Sequence, residues 1–372
     1  MKKRITSLLA LAAFAILCAA CSRTAEETPA PQGGQIPAAE SEENHAGQVA
    51  SSGPGETENA GGQSLSQGEG TDLEAENVQE PSAVYMTEDI SSEGLMKVYE
   101  ALEAKPAGRV AVKLSTGEPG SNYLRTELIG DLVRQLDGTI VECCTAYGGQ
   151  RQDPKLHWKA IEDHGFRTMA PCDIMDAFDE MELPVRDGFH LDKDIVGAHF
   201  ANYDSVLVLS HFKGHAMGGF GGALKNISIG IASTQGKAYI HTAGKTTDAA
   251  KLWDNLPQQD HFLESMADAC KAVIQYKGAE NMLYINVANR LSVDCDCDSH
   301  PAEPEMADLG IFASLDPVAV DQACYDAVKN STDPGKAALI ERMDSRHGIH
   351  TVEAAAQHGL GNRAYEIISL DR

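Results

Sequence analysis

Beyond residue 82 the chain alternates short, continuous apolar runs with longer stretches in which apolar residues recur every three to four positions. Arg109–Leu114, Thr139–Cys143, Ser205–Leu209, Met282–Ala288 and Leu309–Ser314 have the length and unbroken apolarity of strands covered on both faces. The periodic stretches Gly94–Ala104, Tyr123–Leu136, Pro154–His164, His261–Tyr276 and Asp316–Lys329 predict helices. The last of these is opened by Asp316 as N-cap and Pro317 in the first turn. Two short helices, Ala337–Met343 and Thr351–His358, and a strand, Tyr365–Leu370, complete the pattern. Strands alternating with helices predict an α/β fold with mainly parallel sheets and flanking helices. The expected arrangement is two intertwined α/β lobes with the site between them. No internal repeat is present.

The first eighty residues read differently. Lys2, Lys3 and Arg4 precede a short apolar run, Leu8–Leu17, and then small residues, which is the layout of a secretory signal over residues 1–20. The run is too short to span a membrane comfortably. Ala19-Ala20-Cys21 reads as a lipoprotein cleavage site, with Cys21 as the lipidated first residue of the mature chain. Residues 21–82 contain no aromatic residue and only one basic one, Arg23, among many Glu, Gly, Ser, Gln and Pro. Such a segment buries too little apolar surface to offset its ordering entropy, so a disordered acidic tether is expected. It would carry a domain of residues 83–372 on the extracytoplasmic face of the cell membrane, with the lipid as the only membrane contact.

The formal net charge of −25 and the lack of a basic stripe exclude nucleic acid as a natural partner. Past Cys21 the cysteines are Cys143, Cys144, Cys172, Cys270, Cys295, Cys297 and Cys324, an odd set with two close pairs. That is not a disulfide scaffold, and it leaves metal binding, an anaerobic habitat or partial disulfide formation open.

The densest chemistry lies in SHFKGHAMGGFGGALKN, Ser210–Asn226, directly after a buried strand. Loops after strand C-termini are where open α/β sheets bind and react, and glycine lets backbone approach a ligand closely. His211, His215 and Lys225 are the candidate catalytic groups. Lys213, Gly219, Gly221, Gly222 and Asn226 are the candidate cofactor-binding groups.

A second constellation is VDCDCDSHPAEPEMADLG, Val293–Gly310. If Ser292–Cys297 is extended, Cys295 and Cys297 share one face and the intervening aspartates the other. Two thiols so placed, completed by His300, Asp308 or another cysteine, suit a metal ion or iron–sulfur cluster, although no CxxC or ferredoxin run is present. His157 and His164, seven apart on one predicted helix face, read as solvated or capping histidines. Asp321 and Cys324, one turn apart, are placed to face the 295–297 loop.

The strings NYDSVLVLSHFKGHAMGGFGGALKNISIGIAS, CDCDSHPAEPEMADLGIFASLDPVAVDQAC and HGIHTVEAAAQHGLG together resemble domain-of-unknown-function family 362, over about Arg109–Leu370. Many members of that family carry a ferredoxin-like insert after the glycine run. Thr242–His261 holds no cysteine here, so the resemblance implies no such cluster. His215, Lys225 and His241 also fall at spacings similar to those of nickel-pincer lactate racemases. That resemblance implies a lysine tethering the cofactor at Lys225, a nickel ligand at His241 and a proton-transferring group at His215. The early catalytic histidine of those enzymes has no counterpart after Arg109–Leu114, where STGEPGSN stands.

Three functions follow as expectations. The first is a lipid-anchored metal or iron–sulfur protein acting on a small molecule or with a redox partner. The second is a racemase or isomerase with a lysine-tethered cofactor, and the third is a binder of small anions without catalysis.

Overall fold

The computed structural model describes residues 80–371. The signal sequence, Cys21 and the acidic segment up to residue 79 lie outside the described residues. The strands are β1 (Ser82–Thr87), β2 (Val110–Lys113), β3 (Thr139–Glu142), β4 (Cys172–Ile174), β5 (Glu180–Pro184), β6 (Lys193–Gly197), β7 (Ser205–His211), β8 (Lys213–His215), β9 (Gly219–Gly221), β10 (Met282–Ala288), β11 (Gly310–Ser314) and β12 (Tyr365–Ser369). The α-helices are α1 (Ser92–Ala101), α2 (Thr126–Gln135), α3 (Pro154–Asp163), α4 (Phe166–Met169), α5 (Ala223–Ser228), α6 (Thr234–His241), α7 (Gln259–Lys277), α8 (Pro317–Asn330), α9 (Lys336–Ser345) and α10 (His350–Gln357).

Eight strands form one sheet in the order β12-β1-β11-β10-β7-β2-β3-β4. All run in one direction except β11, which is antiparallel to both β1 and β10. The period of two along β7 and β10 sends Val206, Val208 and Tyr284 into one core. Leu207, Leu209, Leu283 and Ile285 enter the other. Leu95, Val98, Ile129 and Leu132 of α1 and α2 cover the second face. Ile227, Leu263, Met266 and Val318 of α5, α7 and α8 cover the first. Each fully buried aliphatic side chain contributes roughly 2 kcal/mol, so the strands buried on both faces anchor the fold.

The expected α/β class and mainly parallel sheet are found, but the two lobes are not. β7 hydrogen-bonds to β2 on one side and β10 on the other, so strands expected in separate lobes belong to one ladder. The remaining strands make two hairpins, β5–β6 and β8–β9, whose polar sequences do not show an apolar run. The chain passes from β2 outward to β3 and β4, then returns to place β7 and β10 on the opposite side of β2. This reversal of strand order leaves a crevice outside the C-terminal ends of β2 and β7. Among the described residues no helix is long and apolar enough to cross a membrane.

Three local expectations are corrected. Residues 295–297 are not extended: the Asp298 amide donates to the Cys295 carbonyl, and the Cys295–Cys297 Cα separation is 5.3 Å, shorter than the roughly 6.7 Å of a two-residue strand step. His157 is fully buried, 3.2 Å from Thr116 Oγ1, because its side of α3 packs onto the sheet rather than into water. Asp321 turns to α5 rather than to the 295–297 loop, accepting from the Ala223 and Leu224 amides at 2.7 and 2.9 Å. Asp316 does cap α8, accepting from the Val318 and Ala319 amides.

Candidate functional site

The C-terminal ends of β2, β3 and β7 carry charged residues straight out of apolar strands. Lys113 ends β2 and Glu142 ends β3, and both are buried. Glu142 Oε2 accepts from Lys113 Nζ at 3.1 Å, while Oε1 accepts from Arg151 Nη1 and the Thr116 amide, each at 2.8 Å. Burial alone would raise the Glu142 pKa, but the charges of Lys113 and Arg151 outweigh it and hold the carboxyl at about 2. Arg151 Nε also donates to Glu118 at 3.1 Å. The resulting crevice, open to solvent, is lined by Lys113, Glu142, Arg151, Lys225, Asn226 and Lys237, together with His211, Gly221, Gly222, Cys143, Cys295 and Cys297.

The glycine run delivers Lys225 to this crevice. Gly222 lies against Asp321, where a Cβ would sit 2.3 Å from the carboxylate oxygen that receives the Ala223 amide. Asn226 straps the next turn to the sheet: its Oδ1 accepts from Lys113 Nζ, and its Nδ2 donates to the Lys113 carbonyl and to Ser210 Oγ, all at 3.0 Å. Lys225 lines the crevice half-buried, and among the described residues its amine has neither a hydrogen bond nor a carboxylate partner. Burial and the charges of Lys113, Arg151 and Lys237 bring its pKa down to about 8. Among the described residues Lys237 also lacks a carboxylate partner, and it donates to the Ala232 carbonyl. Gly219, with φ +77°, serves a different contact, packing against Gly348 away from the crevice.

His215 and His241 are buried behind the lining and do not reach the crevice surface. His241 Nδ1 donates to the Lys237 carbonyl at 2.7 Å, leaving Nε2 as the lone-pair nitrogen. Burial, with Lys225 and Lys237, lowers its pKa to about 4. His215 has the reverse polarity: its Nδ1 accepts from the Gly218 and Met217 amides at 2.8 and 3.3 Å. Burial and the charges of Lys225 and His241 push its pKa far below the ordinary histidine range. The structure thus gathers His215, Lys225 and His241 into one electrostatic neighbourhood. His211 and Lys213 are spent on Asp296, His211 Nδ1 lying 3.0 Å from Oδ2 and Lys213 Nζ 2.8 Å from Oδ1. His211 Nε2 donates to the Asn289 carbonyl, so neither ring nitrogen is left for a ligand.

Cys295 and Cys297 are joined as a disulfide at the mouth of the crevice. The histidine beside them is His215 rather than His300: ligand atoms of His215, Cys295 and Cys297 all lie within 4.8 Å of one another. His300 is exposed and faces Ser299. Two further groups of this kind, His190–His261–Glu264 and His347–His350–Glu353, lie on other elements. The described residues therefore offer three places compatible with a metal ion.

Sequence reasoning located the glycine run but not Lys113, Glu142, Arg151 or Lys237. The signal for the first two was present, since a charged residue closing an otherwise apolar buried strand points to the functional edge of a parallel sheet.

Among curated proteins none matches the chain. The fold is similar to that of the lactate racemase apoprotein from Thermoanaerobacterium thermosaccharolyticum, at 14% identity and a TM-score of 0.39, over 66% of this chain and 57% of that one. A crystal structure of a protein from Thermotoga maritima is similar at 14% identity and a TM-score of 0.34, over 64% of this chain and 58% of that one. The chain thus spans less than two thirds of either solved protein. Residues 110–326 match the model of the family described as domain of unknown function, DUF362, and the chain belongs to that family.

Proposed function

We propose that the crevice binds a small anionic molecule and that Lys225 is the group that reacts with it or holds it. One observation carries this reading: the crevice places two cations without carboxylate partners among the described residues, Lys225 and Lys237, next to Lys113 and Arg151, which share Glu142. In a chain of formal charge −25 this concentration of positive charge selects an anion from solution. An amine with a pKa near 8 is about half unprotonated at pH 8, whereas an ordinary lysine is well under 1% so. It would add to a carbonyl carbon with loss of water, forming an imine, if the anion carries a carbonyl group.

Pyridoxal phosphate, an anionic aldehyde, tests this directly. At pH 8 with borohydride trapping, peptide mapping of the full chain should find Lys225 labelled well ahead of the surface lysines, and Lys225→Arg should abolish the effect. Labelling spread evenly over exposed lysines would refute the reading.

A second reading is favoured by the closeness of His215 to both sulfurs of the 295–297 pair. In it, the reduced thiolates and His215 hold a thiophilic metal or an iron–sulfur cluster. The donor set fits such a group only after the disulfide is reduced. It also requires the His215 ring to change its hydrogen bonding, because Nδ1 accepts backbone amides and Nε2 carries the proton. Full chain purified without oxygen should then contain metal, with or without acid-labile sulfide, that disappears in the Cys295→Ser, Cys297→Ser double variant. Equal metal content in the two proteins would dismiss the thiolate site.

A further inference from the structure

On the α7/α10 side of the domain, on elements separate from the crevice lining, two copies of a His-x-x-Glu spacing face each other. His261 and Glu264 lie on α7, and His350 and Glu353 open α10. A spacing of three puts each histidine on the same helix face as its glutamate. His190, in the turn before β6, completes the first group and His347, just before α10, completes the second. Within each group the three ligand atoms lie within 4.8 Å of one another. Glu264 joins the two groups: one oxygen lies 2.5 Å from His190 Nε2 and the other 3.1 Å from His350 Nε2. His350 Nδ1 is 3.4 Å from Glu353 Oε2, while the other Glu353 oxygen accepts from Arg363.

We propose that this cluster is a divalent transition-metal site, with Glu264 as a carboxylate shared between a His190–His261 side and a His350–Glu353 side. Imidazole and carboxylate together suit zinc, nickel, cobalt and copper rather than calcium or magnesium. In each imidazole–carboxylate hydrogen bond a proton sits between two lone-pair atoms, and a metal ion would take the proton's place. The ligands come from α7, α10 and the turn before β6, so a bound ion would tie three elements together. Their partial exposure gives it an entry path: the His190, Glu264 and His350 side chains are 22%, 23% and 17% accessible.

The test uses the full chain without a histidine tag, treated with chelator and titrated with Zn²⁺, Ni²⁺ and Co²⁺ by calorimetry. Melting curves and the visible absorption of bound Co²⁺ are followed in parallel. The expected result is one or two equivalents bound, a rise in melting temperature and d–d bands of nitrogen–oxygen ligation. His190→Gln and His350→Gln should each weaken or remove binding on their own side, and Glu264→Gln should weaken both. Cys295→Ser with Cys297→Ser should leave all of it in place. Circular dichroism establishes that each variant is folded. Absence of binding at millimolar metal would overturn the proposal. So would binding unchanged in all three His and Glu variants, or binding lost in the cysteine variant alone.

Discussion

Glu142→Ala is expected to destabilise the folded protein by about 4 kcal/mol, read as a lower midpoint of urea unfolding. Removing the side chain leaves Lys113 buried without a carboxylate and takes one of two carboxylates from Arg151. It also orphans the Thr116 amide. The loss is large because the partners stay buried when the anion goes. The same group sets an acid limit. Its folded pKa of about 2 lies below the ordinary value of 4.5, so its contribution is complete above about pH 4.5 and is lost as the pH falls through about 2. A shift of that size corresponds to about 3 kcal/mol. Glu142→Gln should therefore flatten the stability curve between pH 2 and 4.5. An unchanged acid limb in that variant would place the acid sensitivity elsewhere.

Asp296→Ala should cost a similar amount, about 4 kcal/mol, with a more local signature. Asp296 is buried, bridges His211 and Lys213, and its carbonyl accepts the Glu118 amide. Burial opposes its charge, but His211 and Lys213 prevail and hold its pKa well below the carboxylate range. Because Asp296 lies between Cys295 and Cys297, its loss should release their loop. Hydrogen exchange should rise over residues 293–298, and the disulfide should be reduced faster by a small thiol. Asp296→Asn, which keeps an acceptor for Lys213, should show a milder form of both. A midpoint within about 1 kcal/mol of the parent would mean that Lys213 and His211 find other partners.

The parts of this molecule that the sequence reveals are those decided by local pattern. β7 and β10 are unbroken apolar runs because both faces of a central parallel strand are covered, and they were found within two residues of their ends. The crowding of glycine, histidine and lysine after β7 is visible locally, and that stretch supplies His211, Lys225 and Asn226 to the crevice lining. What stayed hidden depends on distance in sequence. Nothing local pairs Glu142 with Lys113 or Arg151, or joins His190 to Glu264 and His350. α5 was missed because a helix of six residues following five glycines has little periodicity, and its start is held by Asp321 from far along the chain. Among the expected third partners of Cys295 and Cys297 was the nearby His300, whereas β8, whose Gly214 amide donates to the Ser292 carbonyl, brings His215 beside them.

The pairing of β1 with β12 has a practical corollary. β1 runs parallel to β7 and β10, so Ser82, where the strand begins, lies at the N-terminal end of the parallel strands, away from the crevice at their C-terminal ends. A fluorophore or surface linkage introduced just ahead of Ser82 would therefore leave the mouth around Lys225 unobstructed. One placed on the β8–β9 hairpin would stand beside it.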